Sequence, residues 1–293
     1  MKQAPLRHAV EYGLFLPFAA TLRTLPHGAS RQLGAALGAL AHLTDRRRRR
    51  IALANLRQAF PERESAELER WVGDCFRHFG AAFADALSAV RFDRVELCRR
   101  VTAEGLEHLA AAEAAGRGII VLSAHYGNWE IVPPFIALAR GPMASVGRPA
   151  DNPHFERTVM RLRTRFGNRA LDKRGAVRDM FRVLREGGRL GLLIDQRVHP
   201  SEAIDVPFFG RPALTSPIVA RLAQKTGAPV VPVFGQHLPR GRYRIEFAPP
   251  LVAASADDEQ ATFAFTRRCL EVCESVIGRE PPQWLWLHNR WKH

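Results

Sequence analysis

The sequence predicts an α/β fold: a mixed, largely parallel sheet flanked by helices, preceded by an N-terminal helical membrane-anchoring segment. Three observations predict it. Beyond Val101, short β-rich runs alternate with helical segments, the order that layers helices over a mostly parallel sheet. Before Val101 the apolar residues recur at helical spacing. The first forty-four residues join two apolar stretches to a run of arginines, as a segment that rests against an anionic bilayer does. Residues 1–44 therefore read as the anchoring segment. Residues 45–293 read as a single domain, since no repeat or linker divides them.

Each element follows from its own residues. Ala9–Leu22 is apolar but carries Glu11 and Pro17, and it falls short of the ~20 residues a spanning helix needs. It is followed at once by Arg23 and a second apolar stretch, Leu33–Leu43, with no cleavage context of a secretion signal. Gly34 and Gly38 form a G-x-x-x-G whose favoured reading is close packing of a small-residue helix, ahead of a dimer motif. Asp45 and Arg46 to Arg50 open a helix with Ile51, Leu53, Leu56, Ala59 and Phe60, stopped by Pro61. Leu68, Val72, Phe76, Phe79, Phe83 and Leu87 predict a helical hairpin or longer bundle over Ser65–Val90. Strands are predicted at Ile119–Ser123, Met143–Gly147, Leu190–Asp195, Val230–Phe234 and Tyr243–Phe247. Helices are predicted over Trp129–Ala139, Pro153–Phe166, Ser216–Thr226 and Glu259–Ile277.

Composition bounds the function. With 46% hydrophobic and 25% charged residues the chain is neither disordered nor polytopic. Its 43 Lys and Arg against 29 Asp and Glu give +14, a charge that suits an anionic partner: nucleic acid, an acidic membrane surface or acidic substrates. Nucleic acid falls behind the others, because there is no zinc-finger spacing and no aromatic RNA-binding pattern. The arginine run beside an apolar stretch favours a membrane surface, where each such residue gains roughly 1 kcal/mol from an anionic leaflet. Cys75, Cys98, Cys269 and Cys273 have neither C-x-x-C nor metal-ligand spacing and read as core residues.

The chemistry is concentrated after the strand Ile119–Ser123, in Ala124-His125-Tyr126-Gly127-Asn128-Trp129-Glu130. Catalytic groups of open α/β sheets sit at the carboxyl ends of strands, where His125 would emerge. Gly127 would let the turn close, and Asn128 could cap a helix whose first turn holds Glu130. On one straight helix His125 and Glu130 would lie about 140° apart, so they meet only across a turn. A dyad of this kind lets the imidazole take a proton from an attacking hydroxyl while the carboxylate holds its tautomer. From the spacing alone, a surface or satisfied pair is the commoner reading. No G-x-S-x-G points to an acyl-enzyme, and no H-E-x-x-H points to a metal.

His125 and Glu130 also stand as the H-x-x-x-x-E box of the glycerolipid-type acyltransferases, and the wider sequence resembles the late lipid A acyltransferases of Gram-negative bacteria. Five segments carry the resemblance in order: Asn55 to Glu62; Gly147-Arg148-Pro149 with Asp151-Asn152-Pro153; Asp195-Gln196; Val206-Pro207-Phe208-Phe209-Gly210; and Trp286 to Lys292. It implies a glycerolipid acyltransferase-like fold and transfer of a fatty acyl chain from acyl carrier protein to a hydroxyl of a Kdo-bearing lipid A precursor. The place implied is the cytoplasmic face of the bacterial inner membrane. It further implies His125 as general base, Glu130 as its orienting carboxylate, and Arg148 as a donor to phosphate or to the thioester oxyanion. Asn128, Asp195 and Gln196 would line the substrate site. Acyl carrier protein, the anionic glycolipid and the membrane surface would be the partners, with no nucleic acid. No metal or organic cofactor is expected, because a thioester donor is already activated. Related enzymes carrying this box acylate lysolipids or mannosylated phosphatidylinositol, and a non-enzymatic basic binding protein is the reading from charge alone.

Overall fold

A computed structural model describes residues 3–147, 152–172, 175–254 and 258–292. Four helices come first: α1 (Gln3–Thr24), α2 (His27–Thr44), α3 (Arg46–Ala59) and α4 (Ser65–Ser88). The α/β layers follow, with α5 (Arg94–Arg100), β1 (Val101–Glu104), α6 (Leu106–Ala114), β2 (Ile119–Ser123), α7 (Val132–Arg140), β3 (Ala144–Gly147), α8 (Pro153–Arg163), β4 (Arg169–Asp172), α9 (Val177–Arg185) and β5 (Arg189–Leu193). The chain closes with a hairpin of β6 (Ile204–Phe208) and β7 (Arg211–Thr215), then α10 (Ile218–Thr226), β8 (Val230–Leu238), β9 (Arg242–Phe247) and α11 (Glu259–Arg279).

The seven-stranded sheet has the order β1-β9-β8-β2-β5-β3-β4. Strands β8, β2, β5, β3 and β4 run parallel; β9 turns back antiparallel to β8, and β1 runs with β9. The central strand β2 is buried along its whole length, as an apolar Ile-Ile-Val-Leu run covered on both faces must be. Its two faces belong to two separate cores. Ile120 and Leu122 pack among Leu190, Leu222, Phe265 and Cys269, whereas Ile119 and Val121 pack among Ile136, Val231, Val233 and Tyr243.

The expectation of a membrane-anchoring segment over residues 1–44 is corrected by the structure. Among the described residues, no helix is long and apolar enough to cross a membrane. Instead the segment is part of the packed helical layer. A Cβ on Gly34 would lie 2.4 Å from the Gly80 carbonyl oxygen, and one on Gly38 would lie 2.1 Å from that of Phe76, so these glycines let α2 lie directly on the backbone of α4. Ala19 and Leu22 of α1 are buried with Ala84 and Leu87 of α4. The hairpin or longer bundle expected over Ser65–Val90 is likewise one continuous helix, α4, ending in a short 3₁₀ turn.

Candidate active site

His125 leaves the carboxyl end of β2 and is fixed from two sides by Asp195, which follows β5, the strand hydrogen-bonded to β2. The His125 main-chain N–H donates to Asp195 Oδ2 at 2.9 Å, and Nδ1 lies 2.9 Å from Oδ1. Trp284 Nε1 donates to Oδ2 at 2.8 Å. The Asp195 side chain has 0% exposure while that of His125 keeps 20%. Burial by itself would raise the Asp195 pKa, but the charge of His125 and these hydrogen bonds oppose it and together hold the carboxyl below its usual range. An ionised carboxylate only accepts, so Nδ1 carries the proton of the neutral ring and Nε2 keeps its lone pair. That is the tautomer a general base needs.

The turn after His125 is held by chain from elsewhere. Gly127 sits at φ 57°, and a Cβ there would lie 2.0 Å from the Gly235 carbonyl oxygen, so only glycine fits. Its N–H donates to the Gln283 carbonyl at 2.9 Å, and its own carbonyl lies 3.2 Å from His78 Nε2. Burial pushes the His78 pKa down to about 4, so the ring is neutral and can donate through Nε2. The Gln283 side chain in turn brackets His237, accepting from its N–H and donating to its carbonyl. The Leu285 N–H closes the other side on the His125 carbonyl at 3.2 Å.

The carboxylate that meets the imidazole is therefore Asp195, and Glu130 is turned to other partners. Arg163 Nη2 donates to Glu130 Oε1 at 2.6 Å and its Nε to Oε2 at 3.2 Å, while Trp129 Nε1 donates to Oε1 at 3.2 Å. The reason is local. Trp129–Ile131 forms a 3₁₀ turn in which Glu130 faces α8, and the Trp129 ring packs against the His125 ring with centroids 5.1 Å apart. Gly147 at the end of β3 makes room for the guanidinium: a Cβ there would lie 2.5 Å from Arg163 Nη1.

The remaining expected residues are placed as follows. Asn128 is buried, but its side chain caps no helix, contrary to expectation; its N–H donates to the Gly235 carbonyl, and its side-chain amide nitrogen is buried with no partner among the described residues. Gln196 is half-buried beside Asp195. Arg148 lies outside the described residues. Among the described residues, no group of three or more His, Cys, Asp or Glu could hold a metal ion.

The other segments that carry the family resemblance hold the C-terminal segment in place. Asn55 of α3 donates to the carbonyls of Trp286 and His288 at 2.8 Å each, tying the C-terminal segment to the helical layer. His288 Nε2 accepts from the Arg197 N–H at 3.1 Å. Arg290 has 0% exposure, reaches the Leu214 carbonyl and Thr215 of β7, and lies over the Phe208 ring.

The sequence profile of the bacterial lipid A biosynthesis acyltransferases matches residues 1–293, the whole chain. The chain belongs to this family. Among its relatives, the lipid A biosynthesis lauroyltransferase of Escherichia coli (strain K12) is 29% identical over 272 residues, spanning 92% of this chain and 87% of that one. The lipid A biosynthesis myristoyltransferase of the same strain is 29% identical over 287 residues, spanning 96% and 87%. The phosphatidylinositol mannoside acyltransferase of Mycobacterium tuberculosis is 28% identical over 190 residues, 64% of this chain and 58% of that one. The protein is accordingly an acyltransferase of lipid metabolism, in the family of lipid A biosynthesis.

Within that family frame, Arg163, Trp284, His78 and Gln283 are the site residues that sequence reasoning missed. Trp284 had a signal, since it lies two residues before the C-terminal segment that resembles the family. His78 stands off the apolar stripe of α4, between Phe76 and Phe79 in sequence, so its spacing does not mark it. Arg163 and Gln283 carry no signal separable from the many surface polar residues of the chain.

Proposed function

We propose that the protein transfers a fatty acyl chain from the thioester of acyl carrier protein to a hydroxyl of a Kdo-bearing lipid A precursor, at the cytoplasmic face of the inner membrane. The observation that carries this reading is the imidazole of His125, clamped by Asp195 at a strand end with Nε2 free and still reachable. In the proposed reaction Nε2 takes the proton of the acceptor hydroxyl as its oxygen attacks the thioester carbonyl. A C–O bond forms, the C–S bond breaks, and the departing thiolate recovers a proton from the imidazolium. Asp195 stabilises that imidazolium without itself being protonated. Glu130 is assigned to the same machinery through Arg163 and Trp129, holding a guanidinium beside the box and an indole against the catalytic ring. Arg148 is assigned to the oxyanion or to phosphate by the family resemblance, and Asn128 and Gln196 to the lining of the site.

Charge supports the partners. Acyl carrier protein is acidic and the acceptor and the leaflet are anionic, so a +14 chain is drawn to all three. Arg46 to Arg50 occupy the first turns of α3, where positive charge opposes the helix dipole and no acidic residue stands. Asp45 relieves this only in part, by capping the Arg48 N–H at 2.9 Å. A run that costs the helix stability is explained by an anionic surface outside the protein. The Escherichia coli relatives, both enzymes of lipid A biosynthesis, support the lipid A acceptor. The mycobacterial relative supports a second reading, a different glycolipid acceptor, over a smaller share of the chain.

Mass spectrometry of lipid A from a host lacking its own late acyltransferase tests the proposal. Expression of the chain should add one acyl mass, and His125→Ala should add none. No added mass from well-expressed wild-type protein would reject the lipid A acceptor, and an added mass that survives His125→Ala would reject the base.

A further inference from the structure

Arg99 and Arg100 at the end of α5 and Arg240 and Arg242 at the β8–β9 turn line one open concavity of about 400 Å³. Its charge is poorly balanced. Glu96 answers both Arg99 and Arg100, and Arg100 also donates to the Gly241 carbonyl at 3.0 Å. The side chains of Arg240 and Arg242 are exposed and make no ion pair among the described residues. One carboxylate thus faces four guanidinium groups, leaving a surplus of three positive charges in a single hollow. The turn that presents two of them is held in an unfavourable shape, since Arg240 is a non-glycine residue at φ 62°.

Topology places this hollow at the reacting end of the sheet. Strand β8 runs parallel to β2, so its C-terminal end, which leads into Arg240 and Arg242, lies at the end of the sheet where His125 emerges. Strand β1 runs antiparallel to β8 by way of β9, so its N-terminal end, preceded by Arg99 and Arg100, lies there as well. Guanidinium forks match phosphate oxygens in geometry, and a phosphomonoester carries ≈ −1.5 to −2 at neutral pH. A surplus of three positive charges is suited better to that charge than to one carboxylate.

We propose that the hollow lined by Arg99, Arg100, Arg240 and Arg242 is a phosphate site that holds a phosphomonoester of the glycolipid acceptor while the acceptor hydroxyl lies at His125. The assignment rests on the acceptor reading above. It makes the arginines a source of acceptor affinity and selectivity separate from the base.

The test uses the full chain and the double variant Arg240→Gln with Arg242→Gln, both positions being exposed. Transfer kinetics are measured on a lipid A precursor and on the same precursor after phosphatase treatment. The expected result is a rise of about tenfold in KM for the phosphorylated acceptor with kcat unchanged, since hydrogen bonds to charged groups are worth about that much. No change is expected on the dephosphorylated acceptor, and the charge control Arg57→Gln with Arg178→Gln should shift neither. Equal effects on both acceptors, or none on either, would overturn the assignment. Calorimetry with glucosamine 1-phosphate and with inorganic phosphate reads the site even if the wild-type protein acylates no lipid A precursor. Binding of the sugar phosphate that the double variant loses supports a phosphate site. No binding, or binding of inorganic phosphate that equals the sugar phosphate with no KM effect, overturns the lipid assignment.

Discussion

Among the described residues, two carboxylates have side chains of 0% exposure, and their surroundings drive them in opposite directions. Asp195 receives donors on both oxygens, from the His125 main chain and ring and from Trp284, and is held below its usual pKa. Asp85, on α4 under the β8–β9 hairpin, is pushed up to about 7 by burial, with the Arg31 charge opposing. Arg31 Nη1 donates to it at 2.6 Å, and the Tyr243 hydroxyl and the charge of Arg100 pull the same way, but burial outweighs all three. Burial depresses His27 to about 4 and holds His237 well below its usual value, and Arg31 also donates to His237 Nδ1. Burial alone thus does not make a carboxylate functional. Donors aimed at both oxygens keep Asp195 ionised, and an ionised carboxylate is what fixes the tautomer of His125.

Neutralising each carboxylate at constant shape separates the two. Asp195→Asn is expected to lower kcat on the order of a thousandfold, the scale of a positioned general base. Asp85→Asn should leave kcat within a few-fold in the same assay. The Glu130–Arg163 pair comes next. Glu130→Gln and Arg163→Gln should each lower kcat on the order of a hundredfold, and the double variant should lose no more than either single one, because the two side chains act as one unit. Additive losses would show that Glu130 acts apart from Arg163.

Smaller effects follow from the buried histidines. His78→Ala removes the donor to the Gly127 carbonyl and should lower kcat by about tenfold, with His78→Asn or His78→Gln recovering part of it. In stability, His27, His78 and His288 are all depressed to about 4 by burial. As pH falls from 6.5 towards 4 the unfolded chain binds protons that the folded chain refuses, so stability is lost in that window. Asp85 works with the opposite sign. The folded chain keeps its proton up to about 7, so its contribution is greatest at low pH and falls as pH rises from 3.8 to 7. Thermal unfolding should show a lower Tm at pH 5 than at pH 7, and a steeper drop in Asp85→Asn.

The sheet was legible because its strands are short apolar runs closed by turn residues; Ile119–Ser123 matches β2 residue for residue. Besides the hairpin strands Ile204–Phe208 and Arg211–Thr215, the strands missed are Val101–Glu104 and Arg169–Asp172, which lie at the edges of the seven-stranded sheet with alternating or exposed residues and no apolar run to announce them. At the N-terminus apolar composition was misleading. The same small and apolar residues that suggest an anchoring segment serve to bring α2 onto the backbone of α4. In the site, His125 and the tight turn at Gly127 were readable from a strand followed by a box. The partnership with Asp195 was not, because it spans seventy residues and depends on β5 lying next to β2, a matter of sheet order that spacing along the chain does not encode. Sequence proximity pointed to Glu130, and the 3₁₀ turn carries that side chain to Arg163 instead.

The base at the end of β2 depends on Asp195 holding the His125 ring with its proton on Nδ1 and its lone pair on Nε2. Nitrogen NMR of the ¹⁵N-histidine-labelled protein, with the His125 signals assigned by their loss in His125→Ala, measures this directly. In the neutral ring an Nδ1–H tautomer is expected in the wild type, retained in Glu130→Gln and lost in Asp195→Asn. An Nε2–H tautomer at His125, or an Nδ1–H tautomer unchanged in Asp195→Asn, would contradict it.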